Sequence, residues 1–541
     1  MPFSICRPVE ILKNAANLFI ILSFLLISSI NLLFANPNKD TIRIAVMGEP
    51  NSLDPNYATG VWERNIINDI FSGLVEIGPK GDTMPAMAKS WDVSKDGKVY
   101  TFYLRDSKWS DGVPVTAQDF EYSYQRILNP TTGASYGSLL YMIKGAEAFN
   151  TNKGKVEDLG LKVINDKTLQ ITLNNPIAYF ISALSHYAFF PVPKHLVLKK
   201  DKQWSKVENI VNNGAYKLTD WSPYSSIKAV KNEHFWDAAN TKIQNIIYYT
   251  QEDRSAVLKR FRSGEIDTVA DFSSDQYDWL MKNMKDQVYV SPYIAIYYYA
   301  INLKPRDKNK ALNKNVRTAL AMAVDREFIV EKILKSGEIP AYSFVPNGIN
   351  EYVPPTFAWK NLTMEQRIEK AKELLKAEGY DASNPLNIEL VYNTSENHKK
   401  LIIAVASMWK RMGVNATALN TEISVHYKNL QSGEYQVGRA GWTADYADAA
   451  SILYVAESGI VNNYAQYSNK DFDKYLLEAK STLDLNKRNM LYSKAETLLL
   501  EDVPYIPLYF IVSKNLISKR VKGWSVNSRD EHLTRFLSLS E

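Results

Sequence analysis

The sequence predicts an α/β protein with mixed β-sheets arranged in two lobes. Two observations carry this. Segments of period-two apolar alternation are interleaved with capped, amphipathic helical segments, and no internal repeat or low-complexity linker interrupts the 541 residues. With 45% apolar and 23% charged residues, the chain has the composition of a folded protein, not of a disordered or collagenous one. Its length suggests two to four packed units at about 150 residues each.

The first segment reads as a signal. Leu18–Phe34 is an almost unbroken apolar run, preceded by Arg7 and Lys13 and closed by Ala35-Asn36-Pro37. This is the layout of a secretory signal cut after Ala35, although the run is also near the lower length limit for an uncleaved anchor. No cysteine follows it, so lipidation there is excluded, and export as a soluble protein is expected. Thr41–Val46 then places Ile42, Ile44 and Val46 on one face before a turn at Gly48-Glu49-Pro50. Val99–Leu104 is an aromatic strand, Asp111-Gly112-Val113-Pro114 a turn, and Thr116 with Asp119 a capping box opening a helix through Ile127. Lys162–Leu173 reads as two strands around Asn165-Asp166, and Tyr216–Val230 as a hairpin broken at Ser222-Pro223. A helix over Ser255–Arg262 stops at Ser263-Gly264, with a short strand from Glu265, and Val288–Asn302 is a long tyrosine-rich strand.

The second half is more helical. Val316–Leu334 reads as one long helix ending at Gly337. Thr363–Glu378 is amphipathic, capped by Thr363 and Gln366 and stopped by Gly379. His398–Met412 is apolar on most sides and is expected to be buried. Val437–Ala444 is small and apolar, and Leu508–Val512 is a late strand.

Composition removes whole function classes. The single cysteine, Cys6, excludes an internal disulfide, an Fe–S cluster and cysteine-based zinc sites. A net charge of +5 gives no case for nucleic acid, which needs a concentrated basic stripe. None of the six histidines pairs at i,i+4, and no phosphate-cradling glycine motif occurs, so no metal or nucleotide cofactor is expected. Gly133-Ala134-Ser135-Tyr136-Gly137 matches the G-x-S-x-G of a nucleophile elbow but lacks the preceding strand. Ser225–Lys228, Ser407–Lys410 and Lys335-Ser336-Gly337 resemble penicillin-binding motifs in the wrong structural contexts. Nothing favours an enzyme.

Gly438–Tyr446 is the most informative stretch. Its small residues Gly438, Ala440, Gly441 and Ala444 let another backbone approach, as when an extended ligand adds a strand. Asp445 suits an ammonium group and Arg439 a carboxylate, each charge-assisted bond contributing ~1.5–3 kcal/mol. Ordinary ion pairs at sheet ends are the alternative.

Segments spread along the chain resemble the peptide-binding proteins of bacterial ABC importers, extracellular solute-binding family 5. They include Asn51-Ser52-Leu53-Asp54-Pro55, Lys108-Trp109-Ser110-Asp111-Gly112, Asn213-Gly214-Ala215-Tyr216-Lys217-Leu218, Arg262-Ser263-Gly264-Glu265-Ile266-Asp267, Val316-Arg317-Thr318-Ala319-Leu320, Tyr392-Asn393-Thr394-Ser395 and Arg439-Ala440-Gly441-Trp442. The resemblance implies a two-lobed, three-domain periplasmic-binding-protein fold that closes around a peptide. After a signal over 1–35, one discontinuous domain takes 36–70, 196–294 and 514–541, a second 71–195, and a third 295–513. It implies that Asp445 holds the ligand amine. The ligand backbone would pair with strands at Gly441, Trp442 and Thr443 and at Thr59, Gly60 and Val61. Arg439 and His398 would be cations for the carboxylate, and Tyr136, Tyr298 and Trp442 pocket walls, joined by Tyr293. Implied partners are a short peptide and an inner-membrane ABC permease, for a monomeric periplasmic protein.

The departures concern ligand choice. Leu334 and Leu430 stand where relatives carry cations, Thr59 and Ala300 where they carry acids, and Ile423 where they carry tryptophan. Ala295 and Thr443 replace a cysteine pair. A murein tripeptide, a dipeptide, haem or a nickel complex are alternatives on the same fold. A periplasmic serine hydrolase, resting on the rejected motifs, is the alternative of another class.

Overall fold

A computed structural model describes residues 39–304, 312–349 and 351–540. The apolar Leu18–Phe34 run, Cys6 and the expected cut after Ala35 lie outside them. Among the described residues, no helix is long and apolar enough to cross a membrane.

Two parallel βα arrangements, one at each end, are joined into a single mixed sheet. At one end Thr41–Ala45 lies between Asn245–Tyr249 and Thr268–Val269, parallel to both, with the helix Arg254–Arg262 as the crossover. The hairpin Tyr216–Ser222 and Ser226–Lys231 extends that end. At the other, Leu386–Asn393 is parallel to Val414–Thr421 and Val437–Thr443, with the helix Glu396–Lys410 between the first two. Parallel neighbours require such crossovers because their ends lie on opposite sides of the sheet. Two long antiparallel strands, Val288–Ile301 and Tyr505–Ile517, connect the ends. Val288–Pro292 pairs with Val512–Leu516, and Ile296–Ala300 with Tyr505–Phe510. The ladder shifts register between Pro292 and Ile296, where proline contributes no N–H.

A separate antiparallel sheet runs in the order Ala88–Val93, Val99–Leu104, Thr168–Thr172, Leu161–Asn165. Its alternation is as the sequence reads: Tyr100, Phe102 and Leu104 are buried, and Tyr100 and Phe102 pack edge-on against Phe180. The capping boxes also form, with Asp119 accepting from the Thr116 amide at 2.9 Å and Gln366 from the Thr363 amide at 2.9 Å.

Three expectations change. Val316–Leu334 is not one helix: Lys314–Met322 ends at Ala323, and Asp325 restarts the chain by accepting from the Phe328 amide at 2.9 Å. An aspartate inside a helix competes for backbone donors, and the carbonyls released at Ala321 and Val324 are taken by the fully buried guanidinium of Arg326. The helix Glu396–Lys410 is buried on one face only, since Ile403 is 57% exposed. The late strand is Tyr505–Ile517, much longer than Leu508–Val512. The helices Lys470–Lys480 and Leu485–Asp502 went unread, although Asn469 and Asp484 cap them and were visible as signals.

Candidate functional site

Glu63 shapes the first wall. It sits in the first turn of the helix Val61–Ile70, and its carboxylate accepts from four amides: Asn51 at 2.8 Å, Ser52 at 3.0 Å, Thr59 at 2.7 Å and Gly60 at 2.6 Å. The chain entering the helix is thereby wrapped around its start. Thr59, Gly60 and Val61 therefore do not form the strand the resemblance implied. Gly60 is the helix N-cap, Val61 is the first helical residue, and the amides of Thr59 and Gly60 are already engaged.

The second wall is a strand with a free edge. Val437–Thr443 pairs with Val288–Ile301 along its length, but with Leu386–Asn393 only at Val437 and Gly438. Along an antiparallel strand the N–H and C=O of alternate residues point to opposite sides. The Ala444 amide bonds Ile294 on the paired side, while the Arg439 carbonyl meets His426 Nε2 at 2.8 Å on the other. Gly441 and Thr443 share the side of Arg439. They lie beyond Val437 and Gly438, the two residues that pair with Leu386–Asn393, so their two N–H and two C=O groups meet no neighbouring strand among the described residues. A β-carbon on Gly441 would stand 3.1 Å from the Ile296 carbonyl oxygen, a tight approach that glycine avoids.

These walls enclose a cavity of ≈ 200 Å³, completed by Tyr136, by Ser185, His186 and Tyr187, and by Arg529 and Glu531 near the C-terminus. Thr59, Gly60, Val61, Tyr136, Gly441, Trp442, Thr443 and Asp445 all line it, although they come from three distant parts of the chain. The Trp442 indole is fixed by its bond to the Ser451 carbonyl at 2.7 Å, and the Tyr136 ring rests against His186.

The charges are arranged unevenly. Glu531 is engaged: Arg529 binds its Oε1 at 2.8 and 3.0 Å, and Asn68 Nδ2 donates to its Oε2 at 3.0 Å. Arg529 also donates to Ser185 Oγ at 2.9 Å and to the Asp445 carbonyl at 3.2 Å, so it ties three segments together. The Asp445 carboxylate, by contrast, accepts no hydrogen bond from any described residue. Burial, with Glu531 adding to it against Arg529 and Arg64, pushes its pKa up to about 7. His186 accepts the Ala188 amide on Nδ1 at 3.2 Å, which puts its hydrogen on Nε2. Burial, then the charges of Arg529 and Arg64, lower its pKa to about 3, so it is a neutral donor.

Arg439 and His398 gather beside this cavity, not in its lining. Arg439 donates to Asn393 Oδ1 at 3.2 Å and to the Tyr427 hydroxyl at 3.1 Å, and lies 4.8 Å over the Tyr297 ring. No carboxylate pairs with it among the described residues. His398 meets the Tyr297 hydroxyl at 3.2 Å, and burial, then Arg439 and His426, hold its pKa at about 3. It is therefore neutral in the ligand-free site, whereas the resemblance implied a cation for the ligand carboxylate.

Parity along Val288–Ile301 separates the tyrosines. Tyr297 faces Arg439 and His398, whereas Tyr298 points to the opposite face and is fully buried against Phe344 and Tyr505. Tyr298 is thus a core residue, not a wall of the cavity. Tyr293 is not among the residues lining the cavity, though its hydroxyl lies close enough to Arg64 to act on its charge. Sequence reasoning missed Arg64, His186, Arg529 and Glu531. Nothing local marks them, because they meet only when the C-terminal segment folds back on the first helix.

The motifs of hydrolases are not assembled. Ser135 lies in a loop, Ser407 within the helix Glu396–Lys410, and fully buried Ser336 bonds Glu338. Among the described residues, no group of three or more His, Cys, Asp or Glu is placed to hold a metal ion.

Two lobes joined by two long strands, with a cavity between the edge strand Val437–Thr443 and the helix Val61–Ile70, define the class of two-lobed solute-binding proteins. The chain belongs to the bacterial extracellular solute-binding proteins, family 5, whose model matches residues 82–463. It is 40% identical over 485 residues to the periplasmic oligopeptide-binding protein OppA of Escherichia coli, covering 88% of each chain. It is 36% identical over 519 residues to the periplasmic murein peptide-binding protein MppA of the same organism, covering 94% of this chain and 96% of the relative. One solved structure of that murein tripeptide binding protein matches with a TM-score of 0.84, covering 93% of this chain and 99% of the other. Its unliganded open form gives only 0.76, covering 93% and 98%. The complex of Haemophilus influenzae OppA with the peptide RPPGFSPFR matches at 0.83 and 34% identity, covering 93% and 99%.

Proposed function

We propose that this protein captures short peptides in the cleft and delivers them to an ABC importer in the inner membrane. The observation that carries the reading is the free edge at Gly441 and Thr443 running into the unbonded carboxylate of Asp445. An extended peptide adds a strand there and places its ammonium on Asp445. Main-chain bonds supply affinity without regard to side chains, and Arg439 receives a carboxylate.

Support for a hinged mechanism comes from the register shift between Pro292 and Ile296, where the long strands pass from one end of the sheet to the other. We assign the discontinuous lobe to 36–70, 196–294 and 514–541, with 71–195 as a second domain and 295–513 as the opposite lobe. The lower likeness to an open relative supports reading this arrangement as the closed one. Closure then shifts the population when ligand bridges the lobes. We place the mature protein, a monomer freed of its signal after Ala35, in the periplasm. A murein tripeptide is the second reading, favoured by the relative that spans 94% of the chain.

Native mass spectrometry of the purified protein tests the class. Bound masses of peptides with a free amine are expected; a haem or nickel complex in their place contradicts the reading. Binding also depends on pH. An ammonium needs Asp445 ionised, and its pKa of about 7 in the empty site falls once the ammonium binds. Affinity is therefore present above pH 7 and is lost as pH falls, by about tenfold per unit, with proton release on binding near neutrality. Calorimetry in buffers of differing ionisation enthalpy measures that release, and a pH-independent affinity between 5 and 8 contradicts it.

A further inference from the structure

The cavity holds one cation that the described residues pair only loosely. Arg64 lines it from the helix Val61–Ile70. Its guanidinium meets Glu531 at 3.8 Å and the Asp530 carbonyl at 3.4 Å, with the Asp530 carboxylate and the Tyr293 hydroxyl also close enough to act on it. Its Nε has no partner. The neighbouring pair Arg529–Glu531 is neutral within itself, with every distance at 3.0 Å or below. That leaves Arg64 only loosely held, by the acids of Glu531 and Asp530, and the Asp445 carboxylate without a hydrogen-bond partner among the described residues. They face the same ≈ 200 Å³ yet form no ion pair with each other. His186 adds no charge, only an N–H donor. Thr59 and Val61, on the same wall, carry no acid to receive a cationic side chain.

We infer that Arg64 is a specificity-determining residue that selects peptides beginning with an acidic residue, its guanidinium taking the side-chain carboxylate while Asp445 takes the adjacent ammonium. This deepens the peptide-binding reading and rests on it. A ligand ammonium alone adds a third cation to a lining of two guanidiniums and two carboxylates, which is costly away from water. An amino-terminal glutamate or aspartate brings both signs and matches the two open groups. An amino-terminal lysine brings a second cation to a wall that has no acid for it.

The test is calorimetric titration of the full-length mature protein with Glu-Ala-Ala, Gln-Ala-Ala and Lys-Ala-Ala. Glu-Ala-Ala is expected to bind at least roughly tenfold tighter than its isostere Gln-Ala-Ala, as one charge-assisted bond allows, with Lys-Ala-Ala weakest. In Arg64→Gln the Glu/Gln ratio should fall to about one, and in Arg64→Lys it should be partly restored. Equal affinities of the Glu and Gln peptides for the unmodified protein overturn the inference without needing a variant. A ratio that survives in folded Arg64→Gln overturns the assignment to Arg64. Binding of none of the three overturns the peptide reading as well, whereas binding without discrimination leaves that reading standing.

Discussion

Replacing Asp445 by alanine will weaken the binding of a tripeptide such as trialanine by about 3–5 kcal/mol, the penalty for leaving a buried charge without its partner. The ligand's ammonium enters a cavity whose remaining charged groups are Arg64, Arg529 and Glu531. Glu531 is already held by Arg529 and Asn68, whose charge and N–H offset it, so it replaces Asp445 poorly. Both guanidinium groups then repel the ammonium without compensation. Asp445→Asn keeps the shape and an amide oxygen and should lose somewhat less. The ligand-free variant should fold normally, because no described residue hydrogen-bonds the Asp445 carboxylate and removing a buried acid relieves desolvation. Calorimetric titration with a melting curve of the free protein checks both statements. Unchanged affinity in a folded variant would remove Asp445 from the site.

The second large effect concerns stability. Asp54 is buried and holds together three parts of the chain: Arg126 binds it at 2.7 and 3.0 Å, the Trp204 indole at 3.0 Å and the Asn56 amide at 3.0 Å. Asp54→Ala leaves the nearly buried Arg126 guanidinium with the Asn56 oxygen, and the indole N–H with nothing. A loss of about 3–5 kcal/mol is expected from the broken ion pair. Urea denaturation measures it as a lowered midpoint at unchanged slope. A loss below about 1 kcal/mol would mean that water or a rearranged side chain replaces the carboxylate.

Asp54 also shows what kind of information the sequence held. Most of the segments that carry the family resemblance are structural. Trp109 of Lys108–Gly112 is buried, with its indole on Asp119; Asn213 bonds Ser72 through both amide and carbonyl groups; Asp267 clasps Arg43. A β-carbon on Gly214 would stand 2.5 Å from the backbone at Ile70 and Phe71, so only glycine fits there. Such residues answer to local packing, and their motifs are short and contiguous, hence readable. Strand alternation and helix caps were readable for the same reason.

The site was only half legible. Asp445, Gly441 and Trp442 lie in one stretch whose small residues and charges announce a backbone-binding edge. Thr59–Val61 was misread as a strand because the capping of that helix depends on Glu63 reaching back to Asn51 and Ser52. Tyr298 was misassigned although strand parity alone puts it opposite Tyr297. The charge on His398 depends on Arg439, 41 residues away in sequence, and on burial that no single segment specifies. Arg64, His186, Arg529 and Glu531 converge from three segments, and only the folded sheet brings them together.

The most direct measurement compares trialanine with N-acetyl-trialanine in the same calorimetric titration at pH 8. Acetylation removes the ammonium and keeps the backbone and carboxylate. If the peptide is held by its amino end on Asp445 with its main chain on Gly441 and Thr443, the acetylated peptide binds at least about a hundredfold more weakly, the loss of a buried charge pair. Equal affinity for the two peptides contradicts that mechanism.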